Sequence, residues 1–246
     1  MSVNQWELGP EIYHFRYKEA DTNTKINGPM YGLAGSFTHH NPNHMMFKMD
    51  GHTNWGEMEY SSTDVGRMTG VDDYTLEIRA VGGYEIQSND DWILTPFLGA
   101  GYRYLSENSF GRSSSGGVAG RQLEFNYFYS PLGVELTTQI DDNWKLGFCV
   151  EYDIFWNGEQ KDHREELDPS TDTTLYEQNR GYGVRGSIKL QKKGEEYDIL
   201  IEPFIRWWSI KESQDTDIIS GGVVIDNDFL AKNNTLELGG KISAIF

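Results

Sequence analysis

The segment 91–104 reads DWILTPFLGAGYRY. In an extended chain successive side chains point to opposite faces. Trp92, Leu94, Pro96, Leu98, Ala100, Tyr102 and Tyr104 therefore share one face, and Thr95, Gly99, Gly101 and Arg103 the other. The order along the apolar face matters most: a ring stands at each end, with aliphatic side chains between. Trp92 and Tyr102 are ten residues apart. Ten residues of a strand tilted by about 40° rise about 25 Å, the height of the apolar band of a transmembrane barrel. A water-soluble core has no reason to hold rings at that separation.

The same arrangement recurs along the chain. In 73–86, Tyr74, Leu76, Ile78, Ala80 and Tyr84 oppose Thr75, Glu77, Arg79, Val81 and Glu85. In 143–156, Trp144, Leu146, Phe148, Val150, Tyr152, Ile154 and Trp156 oppose Lys145, Cys149, Glu151 and Asp153. In 197–207, Tyr197, Ile199, Ile201, Pro203, Ile205 and Trp207 oppose Glu202 and Arg206. The stretch 235–246 sets Leu236, Leu238, Ile242, Ala244 and Phe246 against Glu237, Lys241 and Ser243. Weaker alternation at 29–37, 46–55, 129–137 and 181–190 brings the total to about ten strands, counting 6–17, WELGPEIYHFRY, as the first. There the apolar phase changes near Pro10, which predicts a bulge or bend. Aromatic rings favour the headgroup level. Tyr84, Trp92, Trp144, Tyr197 and Phe246 are expected at one membrane interface, and Tyr74, Tyr102, Trp156 and Trp207 at the other.

Composition narrows the classes. Thirty-eight acidic against 21 basic residues give a charge of -17, the wrong sign for a nucleic-acid binder. One cysteine excludes an internal disulfide framework and a multi-cysteine zinc site. No apolar run approaches the length of a transmembrane helix. The links between strands alternate in length: HNPNH, QSNDD, QIDDN and QKKGEE are short, whereas 105–122 and 157–178 are long and polar. Alternating short turns and long loops separate the periplasmic from the extracellular end of a transmembrane barrel.

At this point the sequence resembles the bacterial outer-membrane β-barrel proteins of Gram-negative cells, over the whole chain 1–246 read as one domain. The fold class implied is all-β, an antiparallel up-and-down barrel of about ten transmembrane strands. The alternating strand that ends in Phe246 resembles the signal read by the barrel-assembly machinery. The resemblance also implies a bilayer and lipopolysaccharide as surroundings, and a cleaved signal peptide ahead of the polar SVNQWELG that follows Met1. A cytoplasmic β-sandwich or lipocalin-like barrel is the competing fold.

By face parity the lumen receives Lys48, Asp50, Glu77, Arg79, Arg103, Glu135, Glu151, Asp153, Arg185, Lys189, Glu202, Arg206, Glu237 and Lys241, together with Lys145 and Glu85. Ten strands enclose little space, and an unpaired ion away from water is costly. A salt-bridged lumen with Glu77, Arg79, Arg103, Glu151, Arg185, Glu202 and Arg206 in one network is expected, in a non-enzymatic structural or surface-interaction protein. The alternatives are a narrow channel for small polar solutes or ions, and a rim protease of the omptin type. For the protease, Asp50-Gly51-His52 supplies an Asp-x-His unit and Asp72-Asp73 an acidic pair, but Asp50 and His52 fall at mid-barrel. The loop carboxylates, such as Glu165, Asp168, Asp215 and Asp226, lack the spacing of a calcium loop. His39, His40 and His44 flank a turn that reads as solvated. No cofactor, metal or catalytic residue is expected, and any extracellular ligand is unspecified.

Overall fold

The computed structural model describes residues 2–19, 23–88 and 92–246; Asn89, Asp90 and Asp91 of the expected link QSNDD lie outside them. Ten long strands form the wall: β1 Val3–Glu19, β2 Lys25–His40, β3 Met45–Ser62, β4 Gly66–Tyr84, β5 Trp92–Asn108, β6 Gln122–Gln139, β7 Trp144–Asp162, β8 Gly181–Lys192, β9 Asp198–Ile210 and β10 Asn233–Ile245. Each is antiparallel to its sequence neighbours, and β1 pairs with β10 through Glu7↔Ile245 to Glu19↔Asn233, which closes the barrel. The segment Thr174–Gln178 continues the line of β8 along the outer end of β7. A separate hairpin, Thr216–Ser220 with Val223–Asp228, stands in the last long loop.

Outward-facing Leu8, Ile12, Leu33, Ile78, Leu98, Val150, Ile201 and Ile242 are all exposed. In water such a belt would be unstable; in hydrocarbon it is the required surface, because closure satisfies every backbone group and leaves no edge.

The strands are longer than the membrane needs. β4 and β7 have 19 residues each, about 45–50 Å at the usual rise and tilt, against an apolar band of about 25 Å. The excess lies at the long-loop end. Much of what reads as loop at 105–122 and 157–178 is therefore strand: Glu159 and Asp162 sit in β7, and the irregular segments shrink to 109–121 and 163–173.

The expected bulge at Pro10 is not there. β1 runs in unbroken register against β2 from Val3↔His40 to Lys18↔Lys25, with Pro10 exposed opposite Leu33. What changes is the chemistry of the two faces. Below Ile12 the apolar side chains point out; above it Tyr13, Phe15 and Tyr17 point in and are buried, while His14, Arg16 and Lys18 point out. The register shifts fall instead at Met58/Glu59 and Phe128/Tyr129.

Candidate functional site: a lumen closed in two layers

Counting from the periplasm, the first layer is loosely packed, with few ion pairs. Two adjoining cavities of ≈ 120 Å³ each share Lys48, Glu135 and Lys189 in their walls. Lys189 Nζ lies 2.5 Å from Glu135, and Lys241 Nζ lies 2.6 Å from Glu7 and 2.9 Å from Glu202. Among the described residues Lys48 makes no ion pair. Glu85 stays at the mouth, 2.6 Å from His40. Cys149 is half-buried in the same wall.

Above it lies a dense ionic layer, buried by every strand at once. Arg185 of β8 is its hub: it pairs with Glu77 of β4, lies 2.6 Å from Asp153 and 3.3 Å from Glu151, and donates to the Tyr129 hydroxyl at 3.0 Å. Arg79 bridges Asp50 at 2.8 Å and Glu151 at 2.6 Å. Arg206 joins Glu11 at 2.7 Å and Glu237 at 3.1 Å, and Arg103 reaches Glu237 at 2.5 Å. His52 Nδ1 is 2.7 Å from Glu11, and its Nε2 is 3.7 Å from Glu77, which links the two halves. Four guanidinium groups thus sit among six carboxylates at a depth where each needs its partners.

Glu202 is the member of the expected network that the structure places elsewhere, one layer down on Lys241. Glu11 escapes the sequence reading, because the apparent phase change at Pro10 hides its inward orientation; continuing the alternation through the proline finds it. Asp50 and His52, the two ends of the Asp-x-His unit, are both engaged in this layer, with Arg79 and Glu11 respectively. His39 contacts Asn4 at 2.7 Å. Among the described residues no three His, Cys, Asp or Glu side chains converge on a metal position.

The third layer is apolar. Tyr13, Phe15, Tyr17, Met30, Met58, Val71, Leu105, Phe125, Tyr127, Tyr129, Phe155, Trp208 and Ile210 fill the lumen from all sides. Trp208 is 2 % exposed and packs edge-on to Tyr129 at 5.0 Å between centroids. Arg103 and Arg185 lie over its ring at 5.7 and 5.5 Å, so the plug rests on the ionic layer through cation–π contacts. Gly101 makes room for this: a Cβ there would fall 2.3 Å from Tyr129 Cζ. Nothing in single-strand parity marks the plug, since aromatic residues occupy both faces of segments such as EFNYFY at 124–129.

Above the plug a basin of ≈ 330 Å³ is roofed by the loops. Arg121 pairs with Asp162, and Arg164 bridges Asp162 at 3.0 Å and Asp228 at 3.1 Å, tying three loops together. On its wall Glu107 is buried opposite Asp73 in the β4–β5 ladder. Burial, with Glu19 nearby, pushes the Glu107 carboxyl up to about 7, and Asp73 is also raised, by burial and then by Glu107. The rings expected at the interfaces lie near the ends of the apolar belt: Tyr84, Trp92, Trp144, Tyr197 and Phe246 toward the short turns, Tyr74, Tyr102, Trp156 and Trp207 toward the long loops.

A closed ten-strand antiparallel barrel with an apolar outer belt, short turns at one end and long loops at the other is a bacterial outer-membrane β-barrel. The chain belongs to the autotransporter beta-domain family, whose model matches residues 13–192. Among solved structures it is similar to the outer membrane protease OmpT from Escherichia coli. The TM-score is 0.58 at 10% identity, covering 100% of this chain and 97% of that one. It is also similar to the outer membrane protein OprG from Pseudomonas aeruginosa, with TM-score 0.40, 9% identity and coverage of 98% and 93%. The toluene transporter TbuX of Ralstonia pickettii gives TM-score 0.40, 10% identity and coverage of 98% and 88%. At such identities the likeness is one of fold. No curated protein matches the chain by sequence.

Proposed function

We propose that the protein is a non-enzymatic, non-conducting barrel, one domain over 1–246, whose rigid wall displays extracellular loops for surface interaction. The observation that carries this reading is the double closure of the lumen, an ionic layer beneath an aromatic plug. A permeating ion would have to break buried charge pairs and then cross a packed apolar layer, and each step is unfavourable. In this reading the lumen residues named from parity line no pore; they hold the wall in shape. The interface rings anchor the barrel in a bilayer whose outer leaflet is lipopolysaccharide, and the strand ending in Phe246 engages the barrel-assembly machinery. Current through planar bilayers tests the proposal. The expected record is a flat baseline after verified insertion; steady unitary steps would replace this reading with the narrow channel. A peptide library left uncut by the folded protein is expected in the same preparation, and reproducible cleavage would favour the rim protease.

A further inference from the structure

We propose that the outer faces of β1 and β2, just above the apolar belt, form a binding site for a phosphate-bearing lipid of the outer leaflet. Arg16 and Lys18 project outward from β1 and Lys25 from β2, with His14 two residues below Arg16, and all four are exposed. Lys18 and Lys25 are direct cross-strand partners, a placement in which like charges repel. Among the described residues, Arg16, Lys18 and Lys25 make no ion pair. On the β10 side their neighbours are Leu236 and Asn234, both uncharged. The acidic side chains on the other flank, Glu57 and Glu59 of β3, are held off by β2, with Asn27 standing between Arg16 and Glu59.

This cationic patch stands out in a chain of charge -17. Its height identifies its occupant. The patch begins two residues above exposed Ile12, and Arg16 pairs with Leu236, which pairs with Trp207 of the outer ring belt. A lipid seated there lays its acyl chains on Ile12 and Leu238 while its phosphate meets the cations. A guanidinium offers phosphate a bidentate contact, and ammonium groups add point charge. A soluble polyanion would gain nothing from the apolar ledge and would meet the acidic loops. The inference rests on the orientation used above, long loops outward, but not on whether the lumen conducts.

The test is native mass spectrometry of the folded protein in mixed micelles doped with phosphatidate. Wild type is expected to retain phosphatidate, with the dissociation constant rising about fivefold for each cation removed in Arg16→Gln, Lys18→Gln and Lys25→Gln. The charge-conserving pair Arg16→Lys with Lys18→Arg is expected to bind within about twofold of wild type, the allowance for exchanging donor geometry at retained charge. Lys192→Gln with Lys193→Gln, at the periplasmic end, should leave binding unchanged. Wild-type affinity in the triple Gln variant, or an equal loss in the periplasmic pair, overturns the site. Because all these side chains are exposed, the variants should fold, and heat-modifiable migration on gels verifies it. A conducting wild type would overturn the sealed-lumen proposal and leave this one standing.

Discussion

Arg103 on β5 and Glu237 on β10 meet at 2.5 Å from opposite walls of a ten-strand ring. Strands five apart in such a ring are diametrically opposed, so this one pair spans the lumen. Removing the cation leaves Glu237, which is 1 % exposed, with Arg206 as its ion-pair partner among the described residues. Arg103→Ala is expected to lower stability by about 3–5 kcal/mol, read as a shift in the urea midpoint of heat-modifiable migration. A change below about 1 kcal/mol, the range of solvated pairs, would mean that water fills this layer.

The plug and the ionic layer are separate seals. Trp208→Ala should cost about 3–5 kcal/mol through the cavity it leaves, yet bilayer current should stay at baseline because the charge pairs beneath are intact. The double variant with Arg103→Ala should be the first to pass ions. Current in Trp208→Ala alone would assign the whole barrier to the plug.

Leu98, 66 % exposed at the middle of β5, is expected to face hydrocarbon. Leu98→Arg should cost about 2–4 kcal/mol in lipid, measured by reversible unfolding in vesicles. A neutral result would contradict the assignment of inner and outer faces.

Glu107 gives the barrel a pH dependence of defined sign. Its carboxyl is raised from 4.5 to about 7 in the folded chain, so between those values the folded state binds more protons than the unfolded one. Asp73 opposite it is raised as well, so stability falls as pH rises through the range in which this buried pair gives up its protons. Glu107→Gln should reduce that decline, the remainder belonging to the buried Asp73, and leave the variant more stable than wild type at pH 8. Parallel unfolding midpoints for the two proteins from pH 5 to 8 would refute the assignment.

How far the sequence could be read depended on which two faces a strand separates. Between the ring belts one face meets lipid and the other charge, so the alternation of 91–104 gives strand, face and height together, and Arg103 and Glu237 both fall inward on parity alone. Their partnership is invisible, because it depends on shear and on which strands oppose. Above the outer belt the signal fades for two reasons. In NGEQKD, 157–162, both faces are polar or glycine, so the end of β7 reads as loop. In HFRY, 14–17, the apolar side chains change sides, which imitates a bulge at Pro10 although the backbone runs on without one. That imitation hides Glu11, and Glu202 reads one layer too high, since parity fixes a direction and not a depth.

The exchange of faces at Ile12 works like the painted waterline of a hull. Below it the strands are finished for oil on the outside, and above it for water. Lifting the barrel by one pleat would bring greasy staves into the aqueous phase all round; sinking it by one pleat would draw Arg16, Asp72 and Glu57, all outward and exposed, into the acyl chains. The draught at which the protein floats is thus written into the wall itself, which keeps its roofed end clear of the membrane.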